Sequence, residues 1–316
     1  MAQPSLPVLH VHPRYGLGNV ILALVSGLGL AVADSRDFVA VVPKATAELL
    51  GLRQHMWRAP ESTGDDFVLN LVGGHPQAAA VAAQLACCER WSNSSVSTVE
   101  SDQYFLPLIT HCGHRRNVLD GALELHGADN AGRFRRLARW LLRPRQQEIS
   151  VARQLVPHGR VVGIHYRTPM FEWEEDQVPR VPIDAAFDCA DQTAKESSAT
   201  GFFLATTSQA AKVAAKKRWG DSVQFQTAEA DRYSPKGMMA AMVDLLALMR
   251  CDHIVTSPMS TFGYVAHGVS GVYPIVVSPS GQCRAAPQEP CGHLLPVWTK
   301  DLQCGEIAAR ECWPHA

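Results

Sequence analysis

The feature that most constrains this chain is an alternation. Short runs of mostly apolar residues recur along it, separated by segments whose apolar residues repeat at helical spacing. The first run, Val8–Val11, is followed by the turn Tyr15-Gly16-Leu17-Gly18-Asn19, an apolar stretch from Val20 to Ala33, and a second run, Phe38–Val42. Several of the runs are continuous rather than alternating, as expected of strands covered on both faces, and parallel strands need helical crossovers. Further strands are predicted at Phe67–Val72, Arg160–Tyr166, Phe202–Ala205, Val223–Gln226, His253–Ser257 and Val272–Val277. Phe134, Leu137, Ala138 and Leu141 predict a helix that Pro144 ends, and Met238, Met242, Leu245 and Met249 predict another whose methionines fill core. The expected class is α/β, with parallel sheets sheathed by helices.

A chain of 316 residues is long enough for two domains. The polar stretch Pro144–Pro157 is the best boundary, giving two Rossmann-like domains, 1–157 and 158–316, facing a cleft. With 29 basic against 30 acidic residues there is no long-range field to hold a polyanion, so nucleic acid is not an expected partner. Arg133, Arg135, Arg136, Arg139, Arg143 and Arg145 form a basic amphipathic segment, read first as a solvated face and second as a contact for an acidic polymer. Val20–Ala33 is shorter than the ~20 residues a membrane span needs. Ala31-Val32-Ala33 imitates a signal-peptidase site, but Arg14 is the only basic side chain among the residues ahead of Val20 that could form a charged lead, and Val8–Val11 reads as a strand.

Of nine cysteines, Cys283, Cys291, Cys304 and Cys312 close the chain with C-x7-C-x12-C-x7-C spacing. No C-x-x-C pair supports a zinc knuckle, even with His293 and His315 nearby. Two disulfides stapling the tail are the leading expectation, in any of three pairings, against buried reduced thiols; the odd total leaves at least one thiol free. Asn93-Ser94-Ser95 is a candidate glycosylation site, in keeping with a secretory compartment.

Four turns carry residues suited to a phosphate or sugar. At Gly16-Leu17-Gly18-Asn19, glycines admit an anion close to the backbone and the following helix offers unpaired N–H groups. Ile21 stands where a dinucleotide fingerprint needs a third glycine, which disfavours an NAD-type dehydrogenase and leaves a plain tight turn as the alternative. Gly163-Ile164-His165-Tyr166-Arg167 ends a buried strand, outside whose carboxyl end a ligand of an open sheet would sit. The planar fork of Arg167 matches two pyrophosphate oxygens, the alternative being a structural ion pair. His165 shares its face, either as a base or as a satisfied buried histidine. Thr206-Thr207-Ser208 follows the next strand, suited to capping a helix or bonding a sugar. Ser257 through Ser260-Thr261-Phe262-Gly263-Tyr264 opens a short helix, a candidate anion site, that Gly268 can end. The last three gather on one rim as a nucleotide-phosphate or nucleotide-sugar site, faced by the first. Glu172, Glu174, Glu175 and Asp176 could supply a base or hold a cation, but such runs are usually loop surface.

In this order the turns resemble the plant-type xyloglucan α-1,2-fucosyltransferase family. The likeness is sharpest from Met242 to Pro274, where Cys251-Asp252-His253-Ile254-Val255-Thr256-Ser257 leads into Ser260-Thr261-Phe262-Gly263-Tyr264-Val265-Ala266, then Gly268 and Gly271. Asp102-Gln103-Tyr104-Phe105 and Glu289-Pro290-Cys291-Gly292-His293 with Pro296 support it. The resemblance implies a GT-B-like enzyme of the Golgi. It would transfer fucose, with inversion, from GDP-fucose to the 2-position of a galactosyl residue on a cell-wall polysaccharide or glycoprotein glycan, with no cofactor and no required metal. It implies that Arg167 holds the donor pyrophosphate with His165 beside it. Ser260, Thr261 and Phe262 would line the GDP pocket, with Thr206, Thr207, Ser208, Ser257 and Tyr264 completing the donor-binding set. Gly16, Gly18 and Asn19 would face it from the other domain. Two positions depart from the family: Val20 follows Asn19 where an arginine is usual, and Thr168-Pro169-Met170 follows Arg167 without the acidic residue expected there. A catalytically degenerate glycan- or nucleotide-binding protein of the same fold is the alternative.

Overall fold

The computed structural model describes residues 6–60, 68–72, 75–86, 96–125, 127–169, 180–228 and 234–290. They form two compact units, dividing between Arg143 and Pro144. Asn93, Cys291, Cys304, Cys312 and the acidic run Glu172–Asp176 lie outside the described residues.

In the first unit the chain runs β1 (Val8–Pro13), α1 (Leu17–Ala33), β2 (Asp37–Val41), α2 (Lys44–Leu50), β3 (Trp57–Arg58), β4 (Val68–Leu71), α3 (Ala78–Ala86), β5 (Val96–Ser101), α4 (Leu106–His111), α5 (Gly113–Leu123) and α6 (Asn130–Leu141). The strands pair in parallel in the order β3-β2-β1-β5-β4. Helix α1 is apolar on all sides and correspondingly buried at every position except Asn19 and Val32, against β1 and β2 and against α4, α5 and α6. The stretch that imitates a signal peptide is therefore a core helix. Phe134, Leu137, Ala138 and Leu141 form the buried stripe of α6, which begins at the N-cap Asp129, whose carboxylate accepts from Gly132 N–H at 2.8 Å.

Strand β5 has no counterpart in the sequence reading. Its Ser97, Thr98 and Ser101 are buried, a pattern that does not read as a core strand, and their hydroxyls are partnered: Ser97 accepts from Arg36, and Ser101 donates to the Leu71 carbonyl at 3.3 Å.

The basic segment divides in two. Arg133 is buried and reaches Asp120 through two bonds, Nε to Oδ1 at 2.6 Å and Nη2 to Oδ2 at 2.7 Å, so it is no part of a solvated face. Removing one partner of a buried pair strands the other charge. Asp120→Ala is expected to cost about 3 kcal/mol of stability, read by urea unfolding. Loss of less than about 1 kcal/mol would show the pair to behave as an exposed one.

The second unit comprises α7 (Gln146–Leu155), β6 (Val161–Tyr166), α8 (Ile183–Ser197), β7 (Gly201–Thr206), α9 (Gln209–Trp219), β8 (Val223–Gln224), α10 (Pro235–Leu248), β9 (His253–Thr256), α11 (Thr261–Ser270), β10 (Pro274–Val277) and β11 (Cys283–Ala285). The sheet order is β11-β10-β9-β6-β7-β8, parallel except for the edge pair β10 and β11. All six positions of both β6 and β7 are buried, as continuous apolar runs require. The division at Arg143/Pro144 precedes the expected 157/158 because α7, inside the polar stretch, packs on α10. Met242 and Leu245 of α10 are core.

The expectation for the tail cysteines needs correction. Cys283 on β11 bonds to Cys189 on α8, with Cα atoms 5.6 Å apart, so the four tail cysteines do not form two bridges among themselves. The antiparallel turn of β11 onto β10 brings Cys283 beside the helix covering that sheet edge, across 94 residues of sequence. Cys112 is also disulfide-bonded, and Cys251 is a buried free thiol. Among the described residues no helix is long and apolar enough to cross a membrane.

Candidate functional site

In the second sheet the chain starts at β6, moves outward through β7 to β8, then returns to the other side of β6 as β9. The junction of β6 and β9 is thus the point where connections change direction, the place outside the carboxyl ends of the strands where open α/β sheets bind ligands. Arg167 and Ser257 leave the sheet at this junction and are tied together. The Arg167 N–H donates to Ser257 Oγ at 2.9 Å, and the Ser257 N–H donates to the His165 carbonyl at 3.0 Å. The Arg167 guanidinium is half-buried and donates through Nη1 to the Thr168 carbonyl at 2.6 Å.

His165 pairs in register with Thr256 and is buried, its Nδ1 3.3 Å from Thr256 Oγ1 and its ring 5.1 Å from that of Phe262. Burial, helped by the Arg167 charge, pushes its pKa down to about 3. The imidazole is therefore held neutral at pH 7, a polar ring at the strand ends without a standing positive charge.

Helix α11 starts at this junction. Ser260 is its N-cap, buried and with no side-chain capping bond, and the first turn, Thr261 and Phe262, begins at this junction with its helix dipole facing the strand ends. The preceding turn places Met259 at φ 55°, a conformation unusual for a side chain that large. Tyr264 braces it, accepting from the Met259 N–H at 2.7 Å, and burial raises the phenol to about 12. Gly263 has a role that sequence reasoning did not assign. A Cβ there would lie 1.9 Å from Thr256 Oγ1 and 3.1 Å from His165 Nδ1, so only glycine lets the helix approach β6 and β9 this closely.

On the neighbouring strand, Thr206 pairs with Tyr166 and its Oγ1 accepts from the Ser208 N–H at 3.1 Å. Ser208 Oγ accepts from the Ala211 N–H at 3.2 Å, capping α9, and Thr207 is exposed beside them. Capping thus accounts for Ser208. At the carboxyl end of edge strand β8 sits a cluster that sequence reasoning missed. Buried Lys212 donates to the Gln226 carbonyl at 2.7 Å, and the Gln226 amide donates to Asp244. Burial drives Asp244 up to about 7 against the pull of Gln226 and Lys212. Its signal was a lone carboxylate in the otherwise apolar second half of α10.

The first unit has an analogous junction between β1 and β5. The positive φ of its turn belongs to Tyr15, at 66° and largely exposed, whereas Gly16 takes φ −73° with nothing within 4 Å of where a Cβ would lie. Gly16 therefore keeps space open at the helix entrance rather than permitting a turn. Gly18 and Asn19 lie in the first turn of α1, not in a loop, and Asn19 Nδ2 donates to the Asp102 carbonyl at 2.9 Å, joining α1 to the end of β5. Val20 is buried in that first turn.

Residues 221–297, which hold α10, β9, α11 and both edge strands, match the sequence model described as xyloglucan fucosyltransferase. Through this segment, about a quarter of the chain, the protein is similar to the xyloglucan fucosyltransferase family. A galactoside 2-alpha-L-fucosyltransferase of Arabidopsis thaliana is 38% identical over 73 residues, 21% of this chain and 13% of that relative's length. Among solved structures, a mutant of Arabidopsis thaliana FUT1 in complex with GDP aligns at a TM-score of 0.63 with 19% identity, over 92% of this chain and 76% of that one. The fucosyltransferase NodZ from Bradyrhizobium aligns at 0.57 with 13% identity, over 90% and 99%. At these identities the structural likenesses establish the α/β fold that the xyloglucan fucosyltransferase resemblance implied.

Proposed function

We propose that the protein transfers fucose from GDP-fucose to the 2-position of a galactosyl residue on a glycan, with inversion and without a required metal. One observation carries this reading: the family-matched segment supplies β9 and α11, and Ser257 of that segment fastens Arg167 at the topological switch point. Breaking the sugar–phosphate bond leaves negative charge on the departing GDP. A guanidinium and helix N–H groups already in position stabilise that charge as it develops, with little reorganisation. Arg167 and the first turn of α11 take these roles, while neutral His165 and Phe262 form an oriented wall. The Cys189–Cys283 bond supports an oxidising compartment such as the Golgi lumen.

The test is a GDP and UDP titration, followed by GDP-fucose with galactose-ended acceptors, the new linkage being read by NMR. Selective stabilisation by GDP, activity insensitive to chelator, and a loss of about a hundredfold in kcat/KM for Arg167→Ala are expected. An Arg167→Ala protein with full activity would sink the assignment. Buried Val20, where the family usually carries a cation, favours a second reading: GDP and glycan binding without transfer. GDP binding with no fucose transferred to any acceptor would select it.

A further inference from the structure

We infer that the outer face of α6 is a binding surface for a carboxylate-bearing polysaccharide. Arg136 and Arg139, with Trp140 beside them, lie on one stripe of the helix, opposite the buried stripe of Phe134, Leu137 and Leu141, and Arg143 follows just past the extended C-cap Leu142. The three arginines are exposed and Trp140 is 42% exposed. A fourth cation comes from elsewhere in the unit. The Arg143 N–H donates to the Leu50 carbonyl at 2.8 Å, and Gly51, at φ 67°, lets the turn lie against it: a Cβ there would be 1.6 Å from the Arg143 carbonyl oxygen. This contact sets exposed Arg53 with its guanidinium 5.4 Å from the centre of the Trp140 ring.

None of these four guanidinium groups forms an ion pair with an acidic side chain among the described residues, although Arg115, Arg133, Arg145 and Arg218 all do. The helix C-terminus accounts for a cation at Arg139 but not for Arg136 or Arg53. The stripe from Arg136 to Trp140 spans about 6 Å of the helix, and Arg143 continues the cationic run past its end. Guanidinium forks at that spacing pair with carboxylates along a chain, and the flat indole offers a face to the C–H groups of a pyranose ring. A chain of net charge −1 lacks the field that nucleic acid would need. The apolar stripe of α6 is buried in the core, so no apolar face is left to enter a membrane. The inference is independent of fucose transfer, since it concerns only the first unit.

The probe is polygalacturonate, compared with the same polymer methyl-esterified, with single-stranded oligonucleotide and with anionic phosphatidylserine vesicles, by affinity electrophoresis and calorimetry. The wild-type protein should bind polygalacturonate at low salt, and binding should fall about tenfold on esterification and again on raising salt. Arg136→Ala with Arg139→Ala should weaken it about tenfold and Trp140→Ala about fivefold. The shift in melting temperature caused by GDP should be the same in every variant, which separates this surface from the donor site. The inference is overturned if folded wild-type protein ignores polygalacturonate, if the double variant binds it equally well, or if oligonucleotide or vesicles bind more tightly.

Discussion

Gly263→Ala is expected to lower the melting temperature of the second unit by about 8 °C, corresponding to about 3 kcal/mol, and to abolish GDP-dependent stabilisation. The cause is a single methyl group. It would lie 1.9 Å from Thr256 Oγ1 and 2.9 Å from Thr256 Cβ, and neither can retreat, because Thr256 is fully buried within a parallel strand. Helix α11 must lift instead, carrying its first-turn N–H groups and Phe262 away from Arg167. Removing the obstructing hydroxyl should help, so Thr256→Ala combined with Gly263→Ala is expected to be more stable than Gly263→Ala alone, a non-additivity that only direct contact produces. Differential scanning fluorimetry with and without GDP measures both effects. A shift under about 2 °C for the single variant would mean that the helix does not press on the sheet there.

The second large effect is an acid limb in stability. Burial pushes His165 down to about 3 and His267 down to about 4, the latter with its Nδ1–H donating to the Gln288 carbonyl at 2.9 Å. An unfolded chain binds these protons near pH 6.5. Between there and the folded values the unfolded state holds more protons than the native one, so stability falls as pH falls. The combined loss by pH 4 is on the order of 5 kcal/mol. Asp244 acts with the opposite sign: raised to about 7, it is protonated in the native state and ionised in the unfolded one, so its contribution declines as pH rises from about 4 to about 7. Stability should therefore peak near pH 6 to 7, with the histidines governing the acid side. Urea unfolding from pH 4.5 to 8 reads the curve. His267→Gln should flatten the acid limb and Asp244→Asn the decline above the peak. An acid limb unchanged in both His267→Gln and His165→Asn proteins would sink the account.

The parallel α/β organisation was legible because period and length are local properties. The wholly buried β6 and β7, the stripe of α6 and the core residues Met242 and Leu245 of α10 follow from which residues are apolar and how far apart they stand, whereas Met238 and Met249 are only half-buried. The turns at the carboxyl ends of β6, β7 and β9 were legible for a related reason, since hydroxyl and guanidinium side chains at strand ends are conspicuous in sequence. Strand β5 was not legible, because its buried hydroxyls find partners on other elements. Nor was the Cys189–Cys283 pairing, which depends on where β11 folds back.

By itself the sequence determined the fold class and set Arg167, Ser257 and Ser260 at strand ends, because hydrophobic period and strand-end chemistry are written in consecutive residues. Only the tertiary structure decided what each of those residues does. Tyr264 braces a turn, Ser208 caps a helix, His165 is held neutral, and Gly263 admits the helix to the sheet. Each of these depends on a neighbour's distance and on exclusion of water, and neither exists until the strands are paired and the helices are laid over them.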